Sequence, residues 1–225
     1  METPHVNVMI ATPGHSLMAQ YVQSLLETTN ELNKNGISWT WLNRYASHVG
    51  DAREVTVGGP DPQDARNTKP LKGAVTYDKI IWIDSDIAWT PQQFMKLYES
   101  DKDVISGAYL QSNGSVVVYP EMLKPPYQYQ EFINKFDLEK VAAVGFGFLA
   151  VKQGVFENLS RPWFQTAYVK QPLGPNGEDI DFPLLGEDYS WCERVRRLGY
   201  DIWVDPTVRV THHKMMKLTW EGIQS

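Results

Sequence analysis

Two aspartates separated by one residue directly follow an apolar run of the chain. Residues 81–83 are Ile-Trp-Ile, and Asp84, Ser85 and Asp86 come next. Because residues i and i+2 of a strand point to the same side, both carboxylates can face one point. Two acids this close need a positive partner, and a hard divalent cation with oxygen ligands would supply it. A strand end whose aspartates cap a turn is the alternative that the triplet leaves open.

A second acidic pair, Glu187 and Asp188, stands at the start of a predicted helix over residues 186–198. Acids in the first turn are stabilised by the helix dipole, which is a sufficient structural reason for them. The functional interpretation is a carboxylate aimed into a cleft as a general base or acceptor ligand. The pair by itself does not decide between the two.

A third group lies near the C-terminus, where residues 205–214 include His212, His213 and Lys214. A neutral imidazole can complete a metal shell that carboxylates begin. Lys214 and Lys217 are within reach of phosphate oxygens in that interpretation. A solvent-exposed histidine pair on a tail is the structural alternative.

Strands and helices alternate in the first half of the chain, which predicts a mostly parallel sheet with helices on both sides. Ligands of such sheets bind off the carboxyl ends of the strands. Thr90 and Pro91 are typical of a helix start, and residues 58–71 are predicted to be a surface loop. Strands are predicted at residues 6–11, 37–42, 77–83, 103–108, 115–119, 142–151 and 202–204, and further helices at residues 15–35 and 47–57.

Composition limits the class of function. The net charge of −6 and the pI of about 5.4 argue against nucleic acid as the main partner. The single cysteine, Cys192, excludes an intramolecular disulfide and a cysteine-based zinc site. The N-terminus lacks the pattern of a signal peptide, and the longest apolar stretch, residues 141–151, is too short for a membrane span. We therefore expect a soluble, cytoplasmic chain, which could also be one domain of a longer protein.

Taken in chain order, these motifs resemble the GT-A glycosyltransferases over residues 6–214. The order is Thr12-Pro13 after the first strand, Asp84-Ser85-Asp86, Gly145-Phe146-Gly147, Glu187-Asp188 and His212. It is most similar to the small viral and bacterial types with an "iDsDi" strand end, a "GEDxxfc" helix start and a "vDpxxxxxH" tail. The resemblance implies one α/β domain over residues 1–225, with the three-layer, Rossmann-like GT-A fold, a central mostly parallel sheet and a smaller mixed sheet. Residues 1–110 would bind the nucleotide sugar, residues 111–215 would bind the acceptor and carry catalysis, and residues 216–225 would form a tail.

The resemblance also implies a reaction: a sugar passes from a nucleotide-diphosphate donor, most commonly a UDP-sugar, to a hydroxyl of a glycan or other acceptor. Asp86 and His212 would hold Mn²⁺ or Mg²⁺. Asp188 would be the catalytic carboxylate, with Glu187 as the next candidate. The residues implied in donor binding are Thr12, Pro13, Arg53, Asp84, Ser85, Asp86, Gly147 and Lys214. Arg53 matches a family position that usually reads Arg-Asn, but Glu54 departs from it and Arg66-Asn67 repeats it, so the sequence leaves open which arginine faces the donor.

Three other classes of protein fit parts of this pattern. A phosphohydrolase of the haloacid-dehalogenase type would carry its acid pair on the first strand, and a sugar nucleotidylyltransferase would carry a glycine-rich basic loop there. A non-catalytic carbohydrate-binding domain with the same fold would tolerate loss of Asp86, Asp188 or His212. All three residues are present, which favours an enzyme.

Overall fold

A computed structural model of the protein describes residues 3–58, 66–168, 184–214, 217–219 and 222–224. The strands of the central sheet are β1 (His5–Pro13), β2 (Trp39–Arg44), β3 (Thr76–Ile83), β5 (Val104–Ala108), β7 (Glu139–Val141), β9 (Phe148–Lys152) and β12 (Ile202–Arg209). The short strands are β4 (Ile87–Ala88), β6 (Val118–Tyr119), β8 (Ala143–Val144), β10 (Ala167–Tyr168), β11 (Leu184–Leu185), β13 (Thr211–His212), β14 (Lys217–Thr219) and β15 (Gly222–Gln224). The helices are α1 (Ala19–Lys34), α2 (Val49–Gly58), α3 (Pro91–Glu99), α4 (Tyr129–Phe132) and α5 (Glu187–Arg197), with a 3₁₀ turn at Pro70–Gly73.

The central sheet has the strand order β2-β1-β3-β9-β5-β12-β7. Strands β1, β2, β3, β5 and β12 run in one direction, while β9 and β7 run against their neighbours. The predicted strand at residues 142–151 is therefore divided. Its first part pairs with β6 in a small sheet, and its second part, β9, inserts antiparallel between β3 and β5.

Side chains of the central strands point alternately to the two faces of the sheet and fill one core on each face. On β1 and β3, Met9 and Trp82 point to the face covered by α2 and α5, while Ile10 and Ile81 point to the face covered by α1 and α3. A sheet buried on both faces needs apolar residues at nearly every position, and residues 8–11 and 80–83 supply them. The three-layer α/β fold expected from the sequence is confirmed.

The helix ends follow local sequence signals. Thr90 forms a capping box with Gln93 and Pro91 occupies the first turn of α3, as predicted. Helix α1 starts four residues later than the pattern suggested, and it ends before Gly36, whose positive φ of 66° suits a glycine. The predicted helix at 186–198 is α5, with Gly186 before its first residue.

The second half of the chain shares the sheet of the first half, since β7, β9 and β12 belong to it. Instead of one smaller sheet, the described residues outside the central sheet form four antiparallel pairs: β4 with β13, β6 with β8, β10 with β11 and β14 with β15. Part of the predicted surface loop, residues 59–65, lies outside the described residues. Among the helices described, none has the length and apolar character that a membrane crossing needs.

Candidate active site

The Asp84-Ser85-Asp86 triplet forms a turn at the carboxyl edge of the central sheet. β3 ends at Ile83, and the Asp84 carbonyl accepts the N–H of Ile87 at 3.0 Å. Ser85 packs against Gly14, where an added Cβ would stand 2.9 Å from the Ser85 hydroxyl oxygen. The backbone of the triplet thus forms the turn that the structural alternative predicts. This turn leaves both carboxylates free to take partners from distant parts of the chain.

Asp86 meets His212 across 126 positions of sequence. Strand β13 pairs with β4 so that His212 stands opposite Ile87, and the His213 N–H donates to the Asp86 carbonyl at 2.8 Å. This pairing brings His212 Nε2 to 3.2 Å from Asp86 Oδ2, and Lys214 Nζ lies 3.0 Å from the same oxygen. A lysine ammonium and an imidazole, which is cationic only when protonated, therefore converge on one carboxylate.

The ionisation of this cluster follows from its contacts. The hydrogen bond to Asp86 raises the pKa of His212 above its usual value, although partial burial opposes the rise. Partial burial of Asp86 would raise the pKa of its carboxyl, but the bonds from His212 and Lys214 outweigh it and lower that pKa. The cluster thus favours an ionised Asp86 next to a positive charge.

The donor set fits a divalent cation. His212 Nδ1 lies 2.9 Å from the Leu110 carbonyl oxygen, and a proton on Nδ1 leaves the Nε2 lone pair facing the Asp86 carboxylate. Carboxylate oxygens suit Mn²⁺ and Mg²⁺, and imidazole nitrogens bind divalent ions of the first transition row. Within the described residues no third His, Cys, Asp or Glu joins this pair. The remaining ligands would therefore come from water and from a bound substrate.

A second cluster centres on Arg53 of α2, which is only 3% exposed. Its Nη2 lies 3.2 Å and 3.3 Å from the two carboxylate oxygens of Asp84, and its Nη1 donates to Glu187 Oε1. Its guanidinium also lies over the Phe146 ring, 5.2 Å from the centroid. Burial would lower the pKa of Arg53, but Asp84, Asp188 and Glu187 together raise it. Arg53 is thus a buried cation that forms ion pairs with Asp84, which follows β3, and with Glu187 of α5.

Asp188 is the carboxylate of this group with the most unusual ionisation. Burial raises its pKa from 3.8 to about 6, and the charge of Glu187 adds to the rise, while Arg53 opposes it. Its Oδ1 accepts the N–H of Tyr189 at 2.7 Å at the start of α5. A carboxylate with a pKa close to working pH has the basicity that proton abstraction needs. Glu187, in contrast, is held in the ion pair with Arg53.

Thr12 and Pro13 at the end of β1 are both buried. The Thr12 hydroxyl is bonded to the Tyr21 hydroxyl and accepts the indole N–H of Trp41 at 3.1 Å. Asn43 donates its side-chain amide to the Thr12 carbonyl at 2.8 Å. These contacts fix the turn that carries Gly14 against Ser85. A donor contact by Thr12 or Pro13 stays a prediction.

Tyr109 was missed by the sequence patterns, although it follows a predicted strand at the carboxyl edge. It is buried, its hydroxyl accepts the Gly147 N–H at 3.2 Å, and its ring meets the His212 ring edge-on at 5.3 Å. The Gly147 carbonyl in turn accepts the Asp84 N–H at 3.1 Å. A Cβ at Gly147 would lie 2.6 Å from the Tyr109 ring. Tyr109 and Gly147 therefore link the Asp84 turn to His212.

The arginine that faces the acids is Arg53. Arg66 lies on an exposed turn. Glu54, the departure from the family pattern, accepts from Arg161 Nε and from the Trp163 N–H, both at 2.7 Å, and so joins α2 to the segment before β10. The side chain of Lys217 lies outside the described residues.

No protein-family model matches the sequence, and no curated protein matches it. Among solved structures, A197 from STIV matches with a TM-score of 0.52 at 16% identity, over 95% of this chain and 98% of that one. The catalytic domain of Drosophila β1,4-galactosyltransferase 7, in complex with xylobiose, matches with a TM-score of 0.46 at 14% identity, over 97% of this chain and 69% of that one. GalNAc-T7 with UDP, GalNAc and Mn²⁺ matches with a TM-score of 0.45 at 11% identity, over 92% and 44% of the two chains. At these identities the similarity concerns the fold alone.

Proposed function

We propose that the protein is a metal-dependent glycosyltransferase that moves a sugar from a nucleotide-diphosphate donor, with UDP-sugars as the first choice, to an acceptor hydroxyl. The observation that carries the proposal is the meeting of Asp86, His212 and Lys214 at one carboxylate oxygen. The Arg53 cluster, which includes Asp84 of the same turn, lies beside it. A metal-type donor set and an acid cluster thus share the carboxyl edge of one sheet, where ligands of α/β folds bind.

In this proposal Asp86 and His212 hold Mn²⁺ or Mg²⁺, and Lys214 turns from Asp86 to a phosphate oxygen of the donor. When bound, the cation would stabilise the negative charge that develops on the departing diphosphate. Asp84, fixed by Arg53, faces the ribose or the sugar. Ser85 and Gly147 form turns that shape the donor side, and residues 1–110 supply most of this half of the site.

Asp188 serves the acceptor side, within residues 111–215. Transfer breaks the bond between the anomeric carbon and the diphosphate oxygen and forms a bond from that carbon to the acceptor oxygen. The nucleoside diphosphate leaves with the electron pair, and the acceptor proton passes to Asp188 if configuration is inverted. If configuration is retained, Asp188 instead stabilises the cationic sugar or orients the acceptor, and the acceptor proton passes to an oxygen of the departing diphosphate. Glu187 is held in the ion pair with Arg53 and stays the next candidate for this role.

Slow hydrolysis of UDP-sugars tests the proposal without knowledge of the acceptor. The protein is incubated with a panel of UDP-sugars with and without Mn²⁺, and released UDP is measured. We expect hydrolysis that requires the metal, and Asp86→Ala should abolish metal-dependent binding of the donor. Asp101→Asn is the control, because the Asp101 side chain is 82% exposed and its ion pair is with neighbouring Lys102.

Two outcomes would redirect the assignment. Unchanged metal dependence in Asp86→Ala would remove the metal site from this cluster. Metal-dependent donor binding without any turnover would favour a non-catalytic carbohydrate-binding domain. A haloacid-dehalogenase-like phosphohydrolase is disfavoured on a specific observation: the carboxylate that would attack phosphorus, Asp84, is paired with Arg53.

A further inference from the structure

An apolar cavity of about 170 Å³ opens beside the candidate metal ligands. Its wall includes the ends of β5 and β12 and the segment around α4. The lining residues are Ala108, Tyr109, Leu110, Val116, Tyr129, Phe132, Ile133, Arg209 and Val210. Leu110 and Tyr129 are 42% and 45% exposed, so they give the cavity a solvent-facing side.

The same wall holds His212 in place. The Leu110 carbonyl oxygen lies 2.9 Å from His212 Nδ1, and the Tyr109 ring stands edge-on to the His212 ring. Val210 lies two residues before His212 in the chain, and its N–H donates to the Ala108 carbonyl at 2.9 Å. A ligand in the cavity would therefore lie next to His212, one of the two proposed metal ligands.

Several polar groups of the wall already have partners. The Ala108, Tyr109 and Leu110 carbonyls accept from Val210, Val117 and His212 in turn. Arg209, the charged residue of the lining, donates from Nε to Pro206 and from Nη2 to Ile133 and Lys135 backbone carbonyls. The cavity thus offers contact to an apolar group and little to a polar or anionic one.

We propose that this cavity is a subsite for an apolar ring attached to the acceptor, such as an aryl aglycone next to the accepting hydroxyl. The inference rests on the proposed function and names the class of acceptor that it would use. A dry apolar cavity on the order of 150 Å³ accommodates a benzene ring, so the observed volume suits one six-membered ring. Burial of such a ring should favour the acceptor that carries it by at least about tenfold in binding.

Matched acceptors test the subsite. The donor is the UDP-sugar that is hydrolysed in the presence of Mn²⁺. Methyl and phenyl β-glycosides of glucose, galactose, xylose and N-acetylglucosamine are compared with each other as its acceptors. We expect kcat/KM to be at least about tenfold higher for the phenyl member of the pair that reacts. The variant Ile133→Trp fills the cavity and should bring the phenyl-to-methyl ratio of kcat/KM to about one. Donor hydrolysis without acceptor should stay unchanged.

The control is Ile37→Trp, the same change at another partly buried isoleucine that packs on the face covered by α1 and α3. It should keep the phenyl preference. Tyr129→Ala removes a half-exposed ring of the lining and should reduce the preference with little risk to folding, which thermal unfolding checks. A ratio near one in the wild type, or an unchanged ratio in Ile133→Trp, overturns the subsite.

Phenol binding tests the cavity without turnover. Phenol should shift the methyl NMR signals of Val116, Ile133 and Val210 in the wild type and leave those of Val116 and Val210 unmoved in Ile133→Trp. Absence of shifts in the wild type overturns the subsite whatever the activity. If phenol binds but no UDP-sugar is hydrolysed, the proposed function fails and the link of this cavity to an acceptor is overturned with it.

Discussion

The substitution Asp188→Asn should stabilise the fold while it removes transfer. Burial raises the pKa of Asp188 from 3.8 to about 6. Because a tenfold change in proton affinity corresponds to about 1.4 kcal/mol, the ionised carboxylate costs the folded state on the order of 3 kcal/mol at pH 8. Asparagine is neutral and nearly the same shape, and its Oδ1 can still accept the Tyr189 N–H. The free energy of unfolding should therefore rise by up to about 3 kcal/mol at pH 8.

The gain should change with pH in one direction. The folded pKa of Asp188 lies above its unfolded value, so between about pH 4 and pH 6 the folded protein keeps a proton that the unfolded chain has lost. The stability that this proton provides disappears as the pH rises through about 6. The gain in Asp188→Asn should accordingly be smallest at pH 4, intermediate at pH 5 and largest, about 3 kcal/mol, at pH 8.

Urea unfolding of wild type and variant at these three pH values measures the gain. The exposed control Asp101→Asn should leave the free energy of unfolding nearly unchanged throughout. In parallel, transfer by Asp188→Asn should fall by at least about 10², the effect of a lost general base, while donor affinity is kept. In the wild type, kcat/KM for transfer should fall as the pH drops below about 6, because Asp188 then takes up a proton.

Either of two results would refute this reasoning. A gain that is equal at all three pH values, or a loss of stability at pH 8, would show that Asp188 is not a carboxylate disfavoured by burial. Near-normal transfer by the variant would remove Asp188 from catalysis and leave Glu187 as the next candidate.

Three further predictions concern Glu187, Gly147 and His212. Glu187→Gln should lower the free energy of unfolding by about 3 kcal/mol in urea titrations, opposite in sign to Asp188→Asn, because it leaves buried Arg53 without one of its charge partners; a gain in stability would contradict the role of that ion pair. Gly147→Ala should destabilise the fold by about 1–3 kcal/mol in thermal unfolding, since its Cβ would lie 2.6 Å from the buried Tyr109 ring; an unchanged Tm would mean that the ring can move aside. Affinity for UDP in the presence of Mn²⁺, measured by calorimetry, should weaken as the pH falls through the raised pKa of His212, because the proton competes for the metal-binding nitrogen; a pH-independent affinity would exclude this histidine as a ligand.

Local sequence signals were sufficient for most of the long strands and helices and for the place of the acids along the chain. Apolar residues 80–83 require a strand buried on both faces, and a turn rich in aspartate must follow it at the carboxyl edge. The Thr90-Pro91 start of α3 and the acid-led start of α5 also depend on residues within one turn of each other. Helix caps and apolar runs depend on residues that lie close together in sequence, so the sequence alone predicts them.

The partners of those acids were decided only by the tertiary structure. The antiparallel insertion of β9 between β3 and β5 brings Gly147 to Asp84, and the pairing of β13 with β4 brings His212 to Asp86. Burial then raises the pKa of Asp188, and Arg53 pairs with Asp84 and Glu187. Strand order, burial and charge pairing depend on contacts between residues far apart in sequence. Because desolvation and Coulomb energies arise only when such residues meet, no local pattern carries them.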